Sequence, residues 1–109
     1  MPLLASLSGQ ELSRLATRMD RRQIAPGQAV VREGDPGDRF YVVLSGMFTV
    51  SNSSLGARRV LRPGDYFGEV ALAMNIPRTA DVHALTPATV ASCDAETFDE
   101  LLRPLFADD

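Results

Sequence analysis

The sequence predicts a mainly β domain, an antiparallel sandwich or barrel of short strands with a helix at each end. Short apolar or alternating runs through the middle of the chain, turn signals at regular spacing between them, and helix start signals toward both ends all point to it. At 109 residues the chain fits one domain, 1–109, with a single core and no room for a separate catalytic or DNA-reading module.

Ser8 and Glu11 have the spacing of a capping box, and Leu12, Leu15, Ala16 and Met19 recur behind them at helical intervals, which predicts a first helix with one apolar face. From Arg21 to Val60 the pattern changes, with candidate strands at Gln28 to Arg32, Phe40 to Leu44, Phe48 to Ser51 and Arg59 to Leu61. Turn signals separate them at Pro26-Gly27, Gly34 to Gly37, Ser45-Gly46, Asn52 to Gly56 and Pro63-Gly64. Two further strands are expected at Thr79 to Ala84 and Thr89 to Cys93. Asp94 then stands at an N-cap position ahead of Phe98, Leu101 and Leu102, on a final helix expected to be interrupted at Pro104. Between Phe67 and Pro77 alternation stops: Gly68 to Ala73 reads as a short helix entered through a glycine, followed by a loop through Asn75 and Pro77. As plain architecture, such an insertion is a crossover that covers the open end of the roll.

Composition narrows the function classes. The net charge of -3 argues against broad electrostatic binding to nucleic acid or anionic membrane, so any anion site must be local. All 11 basic residues are Arg, a usage that suits a GC-rich bacterial genome. Cys93 is alone, which rules out an intrachain disulfide and a thiolate metal cluster. His83 is the single histidine, which argues against a metal-dependent β-roll enzyme, and no third group orients a Cys93–His83 nucleophile pair. No apolar run reaches the length of a membrane span and no signal-peptide pattern opens the chain, so a cytoplasmic location without membrane insertion is expected.

The inserted segment carries the chemistry. A helix start preceded by glycine presents free N–H groups and a partial positive charge to an anion. Arg78, directly after Pro77, has the reach to bring its guanidinium to the same point and pair two phosphate oxygens; its plain alternative is a solvated loop arginine. Glu69 would repel a phosphate unless it faces hydroxyls, such as a ribose 2′-hydroxyl, in a bond worth roughly 1.5–3 kcal/mol. Its plain alternative is a favourable charge in a first helical turn.

Phe67-Gly-Glu-Val-Ala-Leu72, followed by Pro77-Arg-Thr-Ala80 and Val82, resembles the phosphate-binding cassette of cyclic nucleotide-binding domains. Such domains occur in kinase regulatory subunits, gated channels and catabolite activator proteins. Pro26 to Gln28, Arg32 to Asp35, Gly37 to Gly46 and Pro63 to Phe67 also resemble family sequence, so the likeness covers nearly the whole chain. It implies an antiparallel eight-stranded β-roll, a double-stranded β-helix of jelly-roll type, with an N-terminal helix, a short cassette helix and a C-terminal helix.

The resemblance further implies that the cassette, 67–82, binds a 3′,5′-cyclic nucleotide as the sensor domain of a larger bacterial protein, with no catalytic residue, metal or cofactor. Glu69 takes the ribose position and Arg78 the phosphate position. Gly68, Ala71, Leu72 and Thr79 take positions whose backbone groups surround phosphate and sugar, and Val70 and Ala80 serve as small apolar walls. Gly34 and Gly46 match family turn positions. The expected ligand is cAMP; the Thr79 hydroxyl permits cGMP, and a degenerate domain acting as an interaction module is the other alternative. Asp94 to Phe106 accounts for one C-terminal helix, so the family's second, lid helix and the effector domain are expected outside this chain. Phe98, Leu101 and Leu102 are expected to form the face that repacks when the cassette moves. No helix-turn-helix is present, so no nucleic-acid partner is expected through this domain.

Overall fold

The computed structural model describes residues 7–53 and 56–106. Ser8 Oγ accepts from the Glu11 N–H at 3.1 Å and the Glu11 carboxylate accepts from the Ser8 N–H at 2.9 Å, so the capping box closes and starts helix α1, Gly9–Arg18. Within α1 only Leu15 is buried, while Met19 packs partly beneath it just past the helix end. Arg14 and Arg18 on its outer side pair with Glu100.

Eight strands follow, as expected for a β-roll: β1 (Asp20–Ile24), β2 (Ala29–Val31), β3 (Arg39–Ser45), β4 (Phe48–Asn52), β5 (Gly56–Leu61), β6 (Tyr66–Phe67), β7 (Asp81–Ala84) and β8 (Ala88–Asp94). They form two antiparallel four-stranded sheets, in the orders β1-β8-β3-β6 and β2-β7-β4-β5. Helix α2, Glu69–Met74, lies between β6 and β7 in sequence. Past β8, the Asp94 carboxylate accepts from the Thr97 N–H and caps a C-terminal helix, α3, built of an α-helical turn Ala95–Thr97, a π-helical turn Phe98–Leu102 and an α-helical turn Arg103–Phe106. Among the described residues no helix is long and apolar enough to cross a membrane.

Two apolar clusters share β3. Tyr41 and Val43 point into the roll with Phe48, Leu61, Phe67, Val82 and Val90, whereas Phe40 and Val42 point outward to Leu15, Leu72, Phe98, Leu101 and Leu102. Alternation along a strand sends successive side chains to opposite faces, so a strand covered on both sides reads as a continuous apolar run. That is the Phe40 to Val43 run, and it explains how helices α2 and α3 share a core that the roll's interior does not touch.

Some expectations need correction. Six strands were legible from pattern, but β1 and β6 were not: Asp20 to Gln23 are all exposed, and β6 has only two residues. Strand β7 begins at Asp81, leaving Thr79 and Ala80 in the loop before it. Pro104 does not interrupt the final helix. The irregularity is the π turn before it, in which the Arg103 N–H donates to Phe98 O, and the proline that follows has no N–H to place. Of the expected turn at Asn52 to Gly56, residues 54 and 55 lie outside the described residues.

Candidate ligand-binding site

The site is built where β6 gives way to α2. Phe67 is buried and stacks on Tyr41, with centroids 4.8 Å apart and planes 7° from parallel. Gly68 then turns the chain at φ 100, in the left-handed region, and a β-carbon there would sit 2.8 Å from Arg39 O and 2.9 Å from Arg78 Nη1. Only glycine supplies both the conformation and the space. Helix α2 starts at Glu69 and ends at Asn75, which is itself left-handed at φ 54 and whose N–H donates to Ala71 O. Ala71 and Leu72 are buried, while Val70 and Met74 are exposed.

Arg78 is buried at 6% exposure. Its Nη2 donates to Arg39 O at 2.7 Å and its Nη1 to Gly68 O at 3.3 Å, and the guanidinium lies 5.8 Å from the Tyr41 ring centroid. The backbone is fixed as well: Arg78 N–H donates to Asp35 O, and Arg78 O accepts from Gly34 N–H, both at 2.8 Å. Burial pushes the Arg78 pKa down; Tyr41, Asp38 and Glu69 act in the opposite direction. An arginine remains protonated at neutral pH under such a shift, so the site holds a desolvated cation. The Glu69 carboxylate is near enough to favour that charge yet forms no ion pair or hydrogen bond among the described residues.

These groups surround a cleft of about 110 Å³. Seven of the eight sequence-predicted residues line it: Gly68, Glu69, Val70, Ala71, Arg78, Thr79 and Ala80. Leu72 does not. Its side chain enters the cluster of Phe98, Leu101 and Leu102, and its carbonyl accepts from Arg103 Nη2 at 3.0 Å. The cleft also takes Val31, Val50 and Arg59 from the second sheet, none of them among the predicted residues. Inward alternation on β2 and β4 could have found the two valines; Arg59, exposed on an edge strand, left no signal. Arg59, Val50, Thr79 and Ala80 also line an adjoining cavity of about 310 Å³. Among the described residues no three His, Cys, Asp or Glu side chains gather to hold a metal ion. A fixed cation, an uncommitted carboxylate, a hydroxyl and small apolar walls can together hold a compact anion that also carries hydroxyl groups.

The family model for the cyclic nucleotide-binding domain matches residues 21–104. The chain belongs to the cyclic nucleotide-binding domain family. Within this family it is similar to the cAMP-dependent protein kinase regulatory subunit of Eremothecium gossypii, at 42% identity over 96% of this chain and 23% of the relative. The corresponding subunit of Yarrowia lipolytica is 41% identical, over 96% of this chain and 28% of the relative. The chain thus spans about a quarter of the length of these curated relatives. Among solved structures, the regulatory subunit of a cAMP-independent protein kinase A from Trypanosoma brucei superposes with a TM-score of 0.91 at 27% identity, over 95% of this chain and 38% of that one. The regulatory domain of Toxoplasma gondii PKA, crystallised with cAMP, gives 0.87 at 30% identity, over 94% and 40%. The catabolite activator protein of Thermus thermophilus gives 0.82 at 27%, over 98% and 53%. The expected bacterial source has no support among the sequence relatives, which are fungal.

Proposed function

We propose that this domain senses a 3′,5′-cyclic nucleotide, with Arg78 on the cyclic phosphate, Glu69 on the ribose hydroxyl, Gly68, Val70, Ala71, Thr79 and Ala80 around them, and Leu72 packed behind the cleft against α3. The observation that carries this reading is Arg78, a buried cation held on two carbonyls in a cleft whose facing carboxylate is uncommitted. A phosphate supplies the missing counter-charge and a ribose hydroxyl supplies the missing donor. For the base, cAMP is the first choice, supported by relatives named as cAMP-dependent and by a similar domain crystallised with cAMP. A second reading, cGMP, draws on Thr79 and on Arg59 in the adjoining cavity, because guanine offers a guanidinium two acceptors, O6 and N7, where adenine offers one.

The domain works as a regulatory module of a longer cytoplasmic protein, whose lid helix and effector lie beyond 1–109 and whose partner, by the likeness to kinase regulatory subunits, is a catalytic module. Titration calorimetry with cAMP and cGMP on wild type and Arg78→Ala tests the site. Removing one partner of a buried charge pair is expected to weaken binding by roughly 2–5 kcal/mol. Equal affinities would sink the assignment, and Arg59→Ala, if it lowers cGMP affinity alone, decides for the second reading.

A further inference from the structure

The loop between β2 and β3 is tied to the site from several directions. Glu33 N–H donates to the Asp81 carboxylate at 2.6 Å, and the Glu33 carboxylate accepts from Ser53 N–H at 2.9 Å and Ser53 Oγ–H at 3.2 Å. Gly34 N–H and Asp35 O clasp the Arg78 backbone between them. Two residues further on, Gly37 faces α2: a β-carbon there would stand 2.1 Å from Ala71 Cβ, 3.4 Å from Ala71 Cα and 3.4 Å from Arg78 Cζ. Gly37 is not left-handed, as Gly34 is, so what it supplies is space and not backbone freedom.

We propose that Gly37 is a positioning residue for ligand binding: its missing side chain sets how close α2 sits to Arg78, and so fixes the spacing between Glu69 and Arg78. The inference rests on the cyclic-nucleotide reading of the cleft. Two carbon atoms need about 3.5–4.0 Å between them, so alanine at 37 demands a separation roughly 1.5 Å or more beyond the present one. Ala71 has no rotamer through which to yield, and the loop is held at Glu33, Gly34 and Asp35 by Asp81, Ser53 and Arg78. The strain therefore passes to α2, whose Leu72 is anchored on α3 and whose Gly68–Glu69 end is the part proposed to give. Gly68 caps α2 and accepts from Arg78 Nη1, and Glu69 is its first residue. A shift of α2 therefore loosens the guanidinium and displaces the carboxylate together, in a site whose groups must hold to about 0.5 Å.

The test compares wild type, Gly37→Ala, Ala71→Gly and the double variant, by calorimetry with cAMP and cGMP and by the Arg78 Nε–H resonance of the ligand-free protein. Gly37→Ala is expected to weaken binding by roughly tenfold or more and to shift that resonance, because the phosphate and ribose groups no longer match one ligand. Removing the opposing methyl leaves only the 3.4 Å contacts, so the double variant is expected to bind and resonate as Ala71→Gly does. Should Gly37→Ala fail to fold, agreement between the double variant and Ala71→Gly still carries the proposal. Wild-type affinity in Gly37→Ala, or a double variant well below Ala71→Gly, overturns it. If wild type binds neither nucleotide, the proposed function fails, and the Arg78 resonance alone decides the positioning role.

Discussion

Leu72→Ala is expected to destabilise the ligand-free domain by about 2.5–5 kcal/mol. Leu72 is 8% exposed and packs in one cluster with Phe40, Phe98, Leu101 and Leu102. Three carbons leave the core, each worth about 0.8 kcal/mol of transfer free energy, and that sets the lower end. The upper end reflects a cavity that cannot collapse, because Phe40 on β3 and Phe98 on α3, with ring centroids 5.4 Å apart, are held by their own elements. Val70, two positions earlier on α2, is 41% exposed, and Val70→Ala is expected to fall within about 0.5 kcal/mol of wild type. Urea unfolding of both variants measures the difference through the midpoint at constant slope. A Leu72→Ala change under about 1 kcal/mol would refute the two-faced helix, because it would mean the side chain is not buried as described. So would an equal cost for Val70→Ala.

Under saturating cAMP, the amides of Phe98, Leu101 and Leu102 are expected to shift, because Leu72 and its carbonyl join the cassette to α3; an unmoved α3 in the heteronuclear spectrum would break that link. Cys93 is fully buried and burial pushes its thiol up to about 11, so it is expected to resist disulfide reagents at pH 8 until urea unfolds the chain. Rapid labelling of the native protein would contradict this burial. The Glu100 carboxyl is held below its ordinary 4.5 by the hydrogen bond from Arg18 and then that from Arg14. Because the folded value is the lower one, its contribution is complete above 4.5 and fades as pH falls through the depressed value. The gap in urea midpoint between wild type and Glu100→Gln should therefore narrow on acidification, and a gap constant from pH 7 to 3 would show that the pairing contributes nothing.

The parts of this molecule that were legible in sequence are those whose physics closes within a few residues. Ser8 with Glu11 and Asp94 with Thr97 satisfy helix ends three residues away, so the caps could be read directly. Gly68-Glu69 and Arg78 were legible as a motif, and six strands showed in the pattern of apolar runs and turns. β1 was not legible because its first four side chains all meet solvent, which leaves its pairing with β8 as the only thing that makes it a strand. Pro104 misled because a wider turn upstream absorbed it. Arg59, Val31 and Val50 converge on the cleft from three different strands, and their meeting is a property of sheet order. Gly37 reads as one more turn glycine until Ala71 is seen opposite it.

An acidic chain can bind a phosphate without a basic surface if one arginine is already in place. Ordering an arginine side chain costs up to about 2 kcal/mol, and in Arg78 that cost is met during folding by the carbonyls of Arg39 and Gly68. Those bonds use two of the five guanidinium N–H groups, one on each terminal nitrogen, so the same group can meet a phosphate without leaving its anchors. Burial raises the free energy of the cation, which the Tyr41 ring, Asp38 and Glu69 offset only from a distance. Under the proposed function, an arriving phosphate would complete that compensation at contact range and free Glu69 to act on the sugar. On the proposed reading Glu69 would therefore have a role in each state, steadying the arginine when the cleft is empty and holding the ribose when it is filled. Glu69→Gln should accordingly lower ligand affinity while lowering the pKa of Arg78 further, a pairing of effects that a purely ribose-binding carboxylate would not produce.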